Sequence, residues 1–364
     1  MTTDHPLQCV RCSTPLPVDG HLTCSGCGKT YKRLGGVAAV FADLEGVERK
    51  WRQWLGGYAA VATQRIEAIQ LELRVVPGGP PATRLQATAR GQAANTRAIL
   101  GLAAQAGLAP DPPRGSMDTT MIGEPAIMSG FVQLLRDWSW DGAGSTENRE
   151  ALDQAVATWG DRPAPKRVLV LGAGGGRLAW DLHQRWRPDQ TVALDVNPLP
   201  MLVMQQVVSG DMVPLVELVP YPRTPLEGTV IRELRTPAET APGFTPVLAD
   251  AFGGAVTPGH FDAVVTPWFI DACGKPVDQT IRQAIHPALA PGGAWLMVGP
   301  LLYQSTSLPL ATRFTAEEAT FIASKLGLQV GPVTSVMRDY LVRPTGSYGR
   351  RMLIHSWLAE KLNG

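Results

Sequence analysis

The sequence predicts an α/β protein built on a mostly parallel, doubly wound sheet. Three observations carry this: short apolar runs alternate with helical segments after Lys166, a glycine-rich turn follows the first run, and two later runs end in an aspartate. A helical segment precedes that half, and a small cysteine-rich module opens the chain. The expected division is 1–42, 43–115 and 116–364, with an insertion at about 209–245.

The opening module carries Cys9, Cys12, Cys24 and Cys27 in the pattern C-x2-C-x11-C-x2-C. Each C-x-x-C turn can aim two thiolates at one point, and the intervening segment lets the second turn oppose the first. Four thiolates then close a tetrahedral shell, the arrangement of a structural zinc ribbon. So short a module cannot bury an adequate apolar core, and a metal is the expected substitute. Tyr31 and the Gly35-Gly36 turn before an apolar strand complete a segment that resembles the small ribbons attached to several methyltransferases. These include a ribosomal-RNA guanine methyltransferase family and the activator subunit of tRNA and protein methyltransferases.

From Leu44 to Leu108 the apolar spacing is helical: Trp51, Trp54, Leu55 and Tyr58, then Ile66, Ile69 and Leu73. Pro77-Gly78-Gly79-Pro80-Pro81 breaks the pattern, and an Ala-rich helix over 82–107 follows. Pro110, Pro112 and Pro113 mark a linker, and a helix from about Ile127 to Trp138 turns Phe131, Leu134 and Leu135 inward. Strands are then expected at 167–171, 191–196, 246–249, 261–269 and 294–298, and helices at 178–186, 199–208 and about 277–289. Pro291-Gly292-Gly293 reads as a turn before the last strand. The insertion is rich in Pro and Glu and carries no ligand motif. His183, His260, His286 and His355 read as structural, and Cys273 as buried.

Composition narrows the function. With 33 Lys plus Arg against 32 Asp plus Glu the net charge is +1, which supplies no broad electrostatic footprint for nucleic acid or an anionic membrane. No apolar run approaches the roughly 18–20 residues of a bilayer span. The opening MTTDHPLQC lacks a basic segment followed by an apolar stretch, so no secretory leader is expected and a cytoplasmic location is.

Ligands of such sheets bind beyond the carboxyl ends of the strands. There, Val168 to Arg177 reads VLVLGAGGGR, and Gly172, Gly174 and Gly176 let the backbone turn sharply and approach a ligand. The G-x-G-x-x-G register fails from Gly172, because Arg177 stands where glycine is required. From Gly174 it survives only with Ala179 in the last place, and no Gly-Lys-Ser/Thr follows to make a phosphate loop. Asp195, at the end of the next strand, can accept both ribose hydroxyls of an adenosine, and Asp250, after the third, its amino group. An adenosyl site without a diphosphate clamp fits S-adenosylmethionine. The alternative is that Asp195 and Asp250 only cap helices.

Four blocks resemble the carnosine N-methyltransferases, class I S-adenosylmethionine enzymes with a Rossmann-like sheet: 133–139 (QLLRDWS), 168–180, Phe269-Ile270-Asp271, and PGGAW running on to GPLLY at 299–303. The resemblance spans about 82–360 and leaves out the ribbon. It implies that Gln133 and Arg136 hold the methionine end of the cofactor, Gly174 lines it, and Asp250, Ala251 and Phe252 flank the adenine. It further implies that Asp271 binds the substrate imidazole and steers its other nitrogen to the methyl group, with Tyr303 beside it. The chain departs from the family pattern at three places: Pro267 replaces a cysteine at the cofactor, Gln304 replaces a histidine after GPLLY, and Met352, near Tyr348, replaces a tyrosine. The cofactor half is kept and the acceptor half differs. The expectation is N-methylation of an imidazole or other azole in a small molecule or histidine-containing peptide, and a homodimer is compatible with it. Two alternatives stand beside it: an RNA methyltransferase that docks substrate through the ribbon, and a non-catalytic cofactor-binding activator.

Overall fold

A computed structural model describes residues 5–17, 20, 22–112, 124–303 and 308–362, with only the backbone of 124–130. The ribbon begins with a small antiparallel pair, β1 (Leu7–Gln8) and β2 (Pro15–Leu16), followed by β3 (Lys32–Leu34) and β4 (Val37–Ala39). Leu34 faces Val37, so Gly35 and Gly36 form a two-residue loop, both with positive φ as such hairpins require. Next come α1 (Leu44–Glu72) and α2 (Pro80–Gln105), with the expected break between them. The Asp43 carboxylate caps α1 by accepting the Gly46 N–H at 2.9 Å, and α2 opens on prolines, which suit a first turn whose N–H groups lack partners. α3 (Glu124–Ser139) and α4 (Glu147–Trp159) lead into the sheet.

The alternating half follows as β5 (Arg167–Leu171), α5 (Arg177–Trp186), β6 (Gln190–Asp195), α6 (Pro198–Val208), the hairpin β7 (Val213–Leu218) and β8 (Thr229–Leu234), then β9 (Phe244–Leu248) and β10 (Phe261–Pro267). α7 (Val277–Thr280) runs through a π turn into α8 (His286–Ala288) and β11 (Leu289–Gly299); α9 (Ala316–Lys325), β12 (Leu328–Val330), β13 (Thr334–Tyr340) and β14 (Arg350–Lys361) close the chain. The main sheet runs β12-β14-β11-β10-β5-β6-β9-β4-β3, with β13 also on β14. From β4 to β11 the pairings are parallel. The chain moves outward from β5 to β6 to β9 and then returns to the other side of β5 with β10. The carboxyl ends of β5 and β10 therefore meet at the switch point, where ligands of this architecture bind.

β5 shows how sequence becomes layers. Val168 and Val170 join one core with α3, α4, α5 and α6, whereas Leu169 and Leu171 join the other with α7, α8, α9 and the ribbon. Burial on both faces explains the uninterrupted RVLVL.

The structure corrects the expected turn at Pro291-Gly292-Gly293, which lies inside β11. The register slips between Phe261 and Ala263 of β10, so the segment is a bulge. A Cβ on Gly293 would stand 2.9 Å from the carbonyl oxygens of both Ala290 and Phe261, and only glycine fits. The 209–245 insertion holds the β7–β8 hairpin. It is fastened to α2 by Asn95, whose side chain donates to the Val216 carbonyl and accepts its N–H, both at 2.7 Å. The hairpin of β3 and β4 is part of the sheet, its edge beside β9.

Candidate functional site

The glycine turn after β5 contains three glycines with positive φ and three different reasons for being glycine. A Cβ on Gly172 would stand 2.5 Å from the Phe269 ring, and one on Gly176 would stand 1.9 Å from the Met204 sulfur. A Cβ on Gly174 would meet nothing within 4 Å, so that side of this glycine faces open space at the strand end. Its N–H donates to Asp195 Oδ2 at 2.8 Å, while Asp195 Oδ1 accepts the Asn197 N–H at 2.8 Å. Burial pushes the Asp195 carboxyl above the usual range, and these backbone donors oppose the shift. Both oxygens retain lone pairs for a ligand's hydroxyls.

A cleft opens beside this turn, walled by Gln133, Arg136, Tyr340, Trp268 and Pro267. Gln133 and Arg136 stand one turn apart on α3, so both reach it. The Arg136 guanidinium donates to Asp137 Oδ1 at 2.8 and 2.5 Å and lies over the Tyr340 ring at 5.8 Å. Burial disfavours its charge, but Asp137, with Tyr340 and Glu147, outweighs that and holds it protonated. Two of its N–H donors are taken by Asp137; the fork presents five. Gln133 donates to the Tyr340 hydroxyl at 3.4 Å, and Tyr340 stacks on Trp268, centroids 6.1 Å apart. The Trp268 indole N–H is buried with no hydrogen-bond partner among the described residues.

Residues that sequence reasoning missed hold this wall in place. Arg177 ion-pairs with Asp181 at 2.9 Å and Asp141 at 2.6 Å, and donates to the Asp137 carbonyl at 2.7 Å. Burial carries the Asp181 carboxyl up to about 6 despite that partner. Asn148 donates to the Arg136 carbonyl at 3.0 Å, and Glu147 accepts the N–H groups of Leu341 and Val342 at 2.9 and 2.8 Å. These contacts join α3, α4 and the turn after β13, elements far apart in sequence. A clue lay in Arg177 itself, a charge standing where the dinucleotide pattern has glycine.

Beyond Phe269 lies the second part of the site. Asp271 is 6% exposed; its Oδ2 accepts the Leu302 N–H at 2.8 Å, and its Oδ1 has no partner among the described residues. Burial raises its carboxyl pKa, against the pull of the Leu302 and Tyr303 N–H groups. The Tyr303 hydroxyl is also buried without a hydrogen-bond partner among the described residues, and burial with the nearby Asp271 charge pushes it up to about 12. Trp268, Leu301, Tyr303 and Leu341 all have positive φ without being glycine, four of six such residues described. Left-handed backbone of this kind costs about 1–2 kcal/mol per residue, and of the four Trp268 lines the cleft.

The other expected residues are placed as follows. Asp250 is exposed and accepts the Phe252 N–H at 2.9 Å, and the Phe252 and Phe269 rings lie near-parallel with centroids 6.3 Å apart. Ala251 packs partly buried against the same core as both rings. Met352 is on β14 opposite Arg338, half-buried against the core. Tyr348 is 53% exposed and pairs with the Tyr221 ring at 5.9 Å. Gln304 lies outside the described residues. His183 is structural, its ring nitrogens bonded to Thr191 Oγ1 and the Ala241 carbonyl at 2.9 and 3.0 Å.

The four ribbon cysteines place their sulfurs within 4.8 Å of one another, with Cys9 and Cys27 3.7 Å apart and Cys12 and Cys24 3.5 Å apart. Such spacing can hold one tetrahedral ion with metal–sulfur bonds of about 2.3 Å. Tyr31 braces the centre, its hydroxyl 3.1 Å from Cys9 Sγ while accepting the Val10 N–H at 3.1 Å. Three nearby surface cations make contacts within the chain: Lys29 donates to the Ala42 carbonyl, Lys32 pairs with Glu48, and Arg33 donates to the Gly36 carbonyl. Among the described residues no helix is long and apolar enough to cross a membrane.

Residues 239–362 match the family model described as carnosine N-methyltransferase. The chain is 25% identical over 226 residues to a carnosine N-methyltransferase of Dictyostelium discoideum, covering 56% of this chain and 47% of that protein. It is 25% identical over 241 residues to the carnosine N-methyltransferase of Rattus norvegicus, covering 59% and 58%. The chain thus spans about half the length of the curated relatives it matches. A solved S-adenosylmethionine-dependent methyltransferase from Aquifex aeolicus superposes with a TM-score of 0.40 at 11% identity, covering 66% of this chain and 99% of that one. The chain resembles the carnosine N-methyltransferase family, and its sheet is the Rossmann-like, doubly wound one that the sequence predicts.

Proposed function

We propose that this chain is an S-adenosylmethionine-dependent methyltransferase that places the methyl group on a ring nitrogen of an imidazole or other azole, in a small molecule or a histidine-containing peptide. The observation that carries the reading is the buried Asp271 Oδ1, which like the Tyr303 hydroxyl has no hydrogen-bond partner among the described residues, just past the Phe269 that packs on the glycine turn. An unpaired buried acceptor costs about 1–3 kcal/mol or more, and a ligand N–H removes that penalty.

When bound, S-adenosylmethionine supplies a methyl group already activated on a sulfonium. Arg136 and Gln133 would hold its carboxylate end, Gly174 its passage over the strand, Asp195 its ribose, and Asp250 with Ala251 and Phe252 its adenine; Pro267 would line the wall. Asp271 would accept the N–H of a neutral imidazole, fix its tautomer and aim the other nitrogen's lone pair outward. As that nitrogen is alkylated the ring becomes cationic, and the Asp271 carboxylate stabilises the charge where it develops. Alignment and exclusion of water, not a strong base, are the chain's contribution. The ribbon would hold one structural zinc. The net charge of +1 favours a small acceptor over RNA.

Incubation with labelled cofactor and a panel of histidine, its dipeptides and histidine-containing peptides, with tRNA and rRNA in parallel, tests the reading. Mass spectrometry should find the label on a ring nitrogen. Transfer to RNA alone, or binding without transfer, would replace it.

A further inference from the structure

We infer that the ribbon is a strap on the cofactor's adenine-side loop, so that metal in the cysteine centre and adenosyl ligand in the cleft strengthen each other's binding. The inference rests on the cofactor reading above for the identity of the ligand, while the strap itself is a matter of hydrogen bonds. The loop after β9 carries Asp250, Ala251 and Phe252 and continues to Thr257. Its downstream half pairs with the ribbon's first strand: Gln8 N–H donates to the Ala255 carbonyl at 2.9 Å and Thr257 N–H to the Pro6 carbonyl at 3.0 Å, with Leu7 facing Val256. The Gln8 side chain adds a bond to the Gly254 carbonyl at 3.0 Å.

The upstream half is held as well. β4 pairs with β9 in parallel, Ala39 opposite Leu248, and the Val40 N–H donates to the Leu248 carbonyl at 2.8 Å. The loop thus leaves β9 under one ribbon strand and ends under another. Cys9 follows Gln8 directly, and Leu7, Cys9, Cys24 and Tyr31 share one buried core with Val40, Val247, Ala249 and Ala255. Losing the metal would release the Cys9 thiolate and loosen β1, which is then held only by its pairing with β2, the buried Leu7 and the bonds to the loop. The segment 250–257 would then pay more ordering entropy on binding a ligand. A docking module for a macromolecular substrate would need none of these bonds to the cofactor side.

Linkage makes the coupling reciprocal: if metal tightens the adenosyl ligand, that ligand tightens the metal by the same factor. The test uses the full chain, metal-loaded and chelator-treated, with amide hydrogen exchange followed by mass spectrometry and S-adenosylhomocysteine titrated by calorimetry. Metal removal should speed exchange at 250–257 while the β5 and β10 amides stay protected, and should weaken S-adenosylhomocysteine by about tenfold. Unchanged exchange at 250–257 after metal loss would overturn the strap, whatever the ligand does. If the metal-loaded chain fails to bind S-adenosylhomocysteine, the cofactor reading falls and the exchange result still decides the strap. Should chelation unfold the whole chain, Gln8→Pro, which removes the Gln8 N–H and side-chain bonds to the loop and keeps all four cysteines, decides. Faster exchange at 253–257 in that variant supports the strap, and wild-type exchange there refutes it.

Discussion

The two parts of the candidate site differ in how their polar groups are satisfied. At the glycine turn, Asp195 already accepts two backbone N–H groups and Arg136 is already paired with Asp137. In the second part Asp271 has one oxygen bonded, while its other oxygen and the Tyr303 hydroxyl have no partner among the described residues. The first part is built into shape by the chain alone, whereas the second keeps an open valence. A preorganised frame costs little to occupy, and an unsatisfied acceptor selects a ligand with a donor in the right place. Substitutions in the two parts should therefore separate cofactor affinity from turnover.

The largest effect is expected in the second part. Asp271→Ala should lower turnover by more than about 100-fold while S-adenosylhomocysteine affinity stays near wild type. Near-normal turnover in that variant would break the comparison. In the preorganised part, Asp195→Ala should weaken S-adenosylhomocysteine by about 10–100-fold, as lost hydrogen bonds to a charged group imply. The raised Asp195 pKa gives this a pH signature. The carboxyl protonates at higher pH than an ordinary aspartate, so cofactor affinity falls as pH drops through that raised value. Calorimetry across mildly acidic pH should show the limb in wild type and its absence in Asp195→Asn.

A smaller contrast lies within the glycine turn. Gly176→Ala combines positive φ with the Met204 overlap and should destabilise the fold by about 2–4 kcal/mol. Gly174→Ala bears only the φ cost, about 1–2 kcal/mol, yet should be the one that weakens cofactor binding. Thermal melts beside titrations distinguish them, and equal losses of affinity would blur the assignment of Gly174 as the open position. The smallest quantity is a stoichiometry: metal analysis of purified protein should find about one zinc per chain.

What the sequence made legible follows from range. RVLVL, the glycine turn and the strand-end aspartates are local signals, set by burial on both faces and by positive φ, and they sit where their spacing implied. The break at 77–81 was legible because proline and glycine punctuate helices locally. The Arg177–Asp181–Asp141 network, Tyr340 on Arg136 and the Glu147 cap on the turn after β13 were not, because each joins elements that only the fold brings together. PGG was misread as a turn for a related reason: its glycines answer to the carbonyls of β10, a neighbour across the sheet. The cysteine spacing announced the cluster of four sulfurs but not its tie to the 250–257 loop, which rests on backbone groups that have no residue signature.

The most direct test is a crystal structure of the chain with S-adenosylhomocysteine and an imidazole-bearing acceptor. The account predicts the ring N–H on Asp271 Oδ1, with the opposite nitrogen facing the ligand sulfur from the side where the methyl group would stand. A cleft in which Asp271 Oδ1 is instead occupied by the chain's own donors, with the acceptor bound elsewhere, would contradict it.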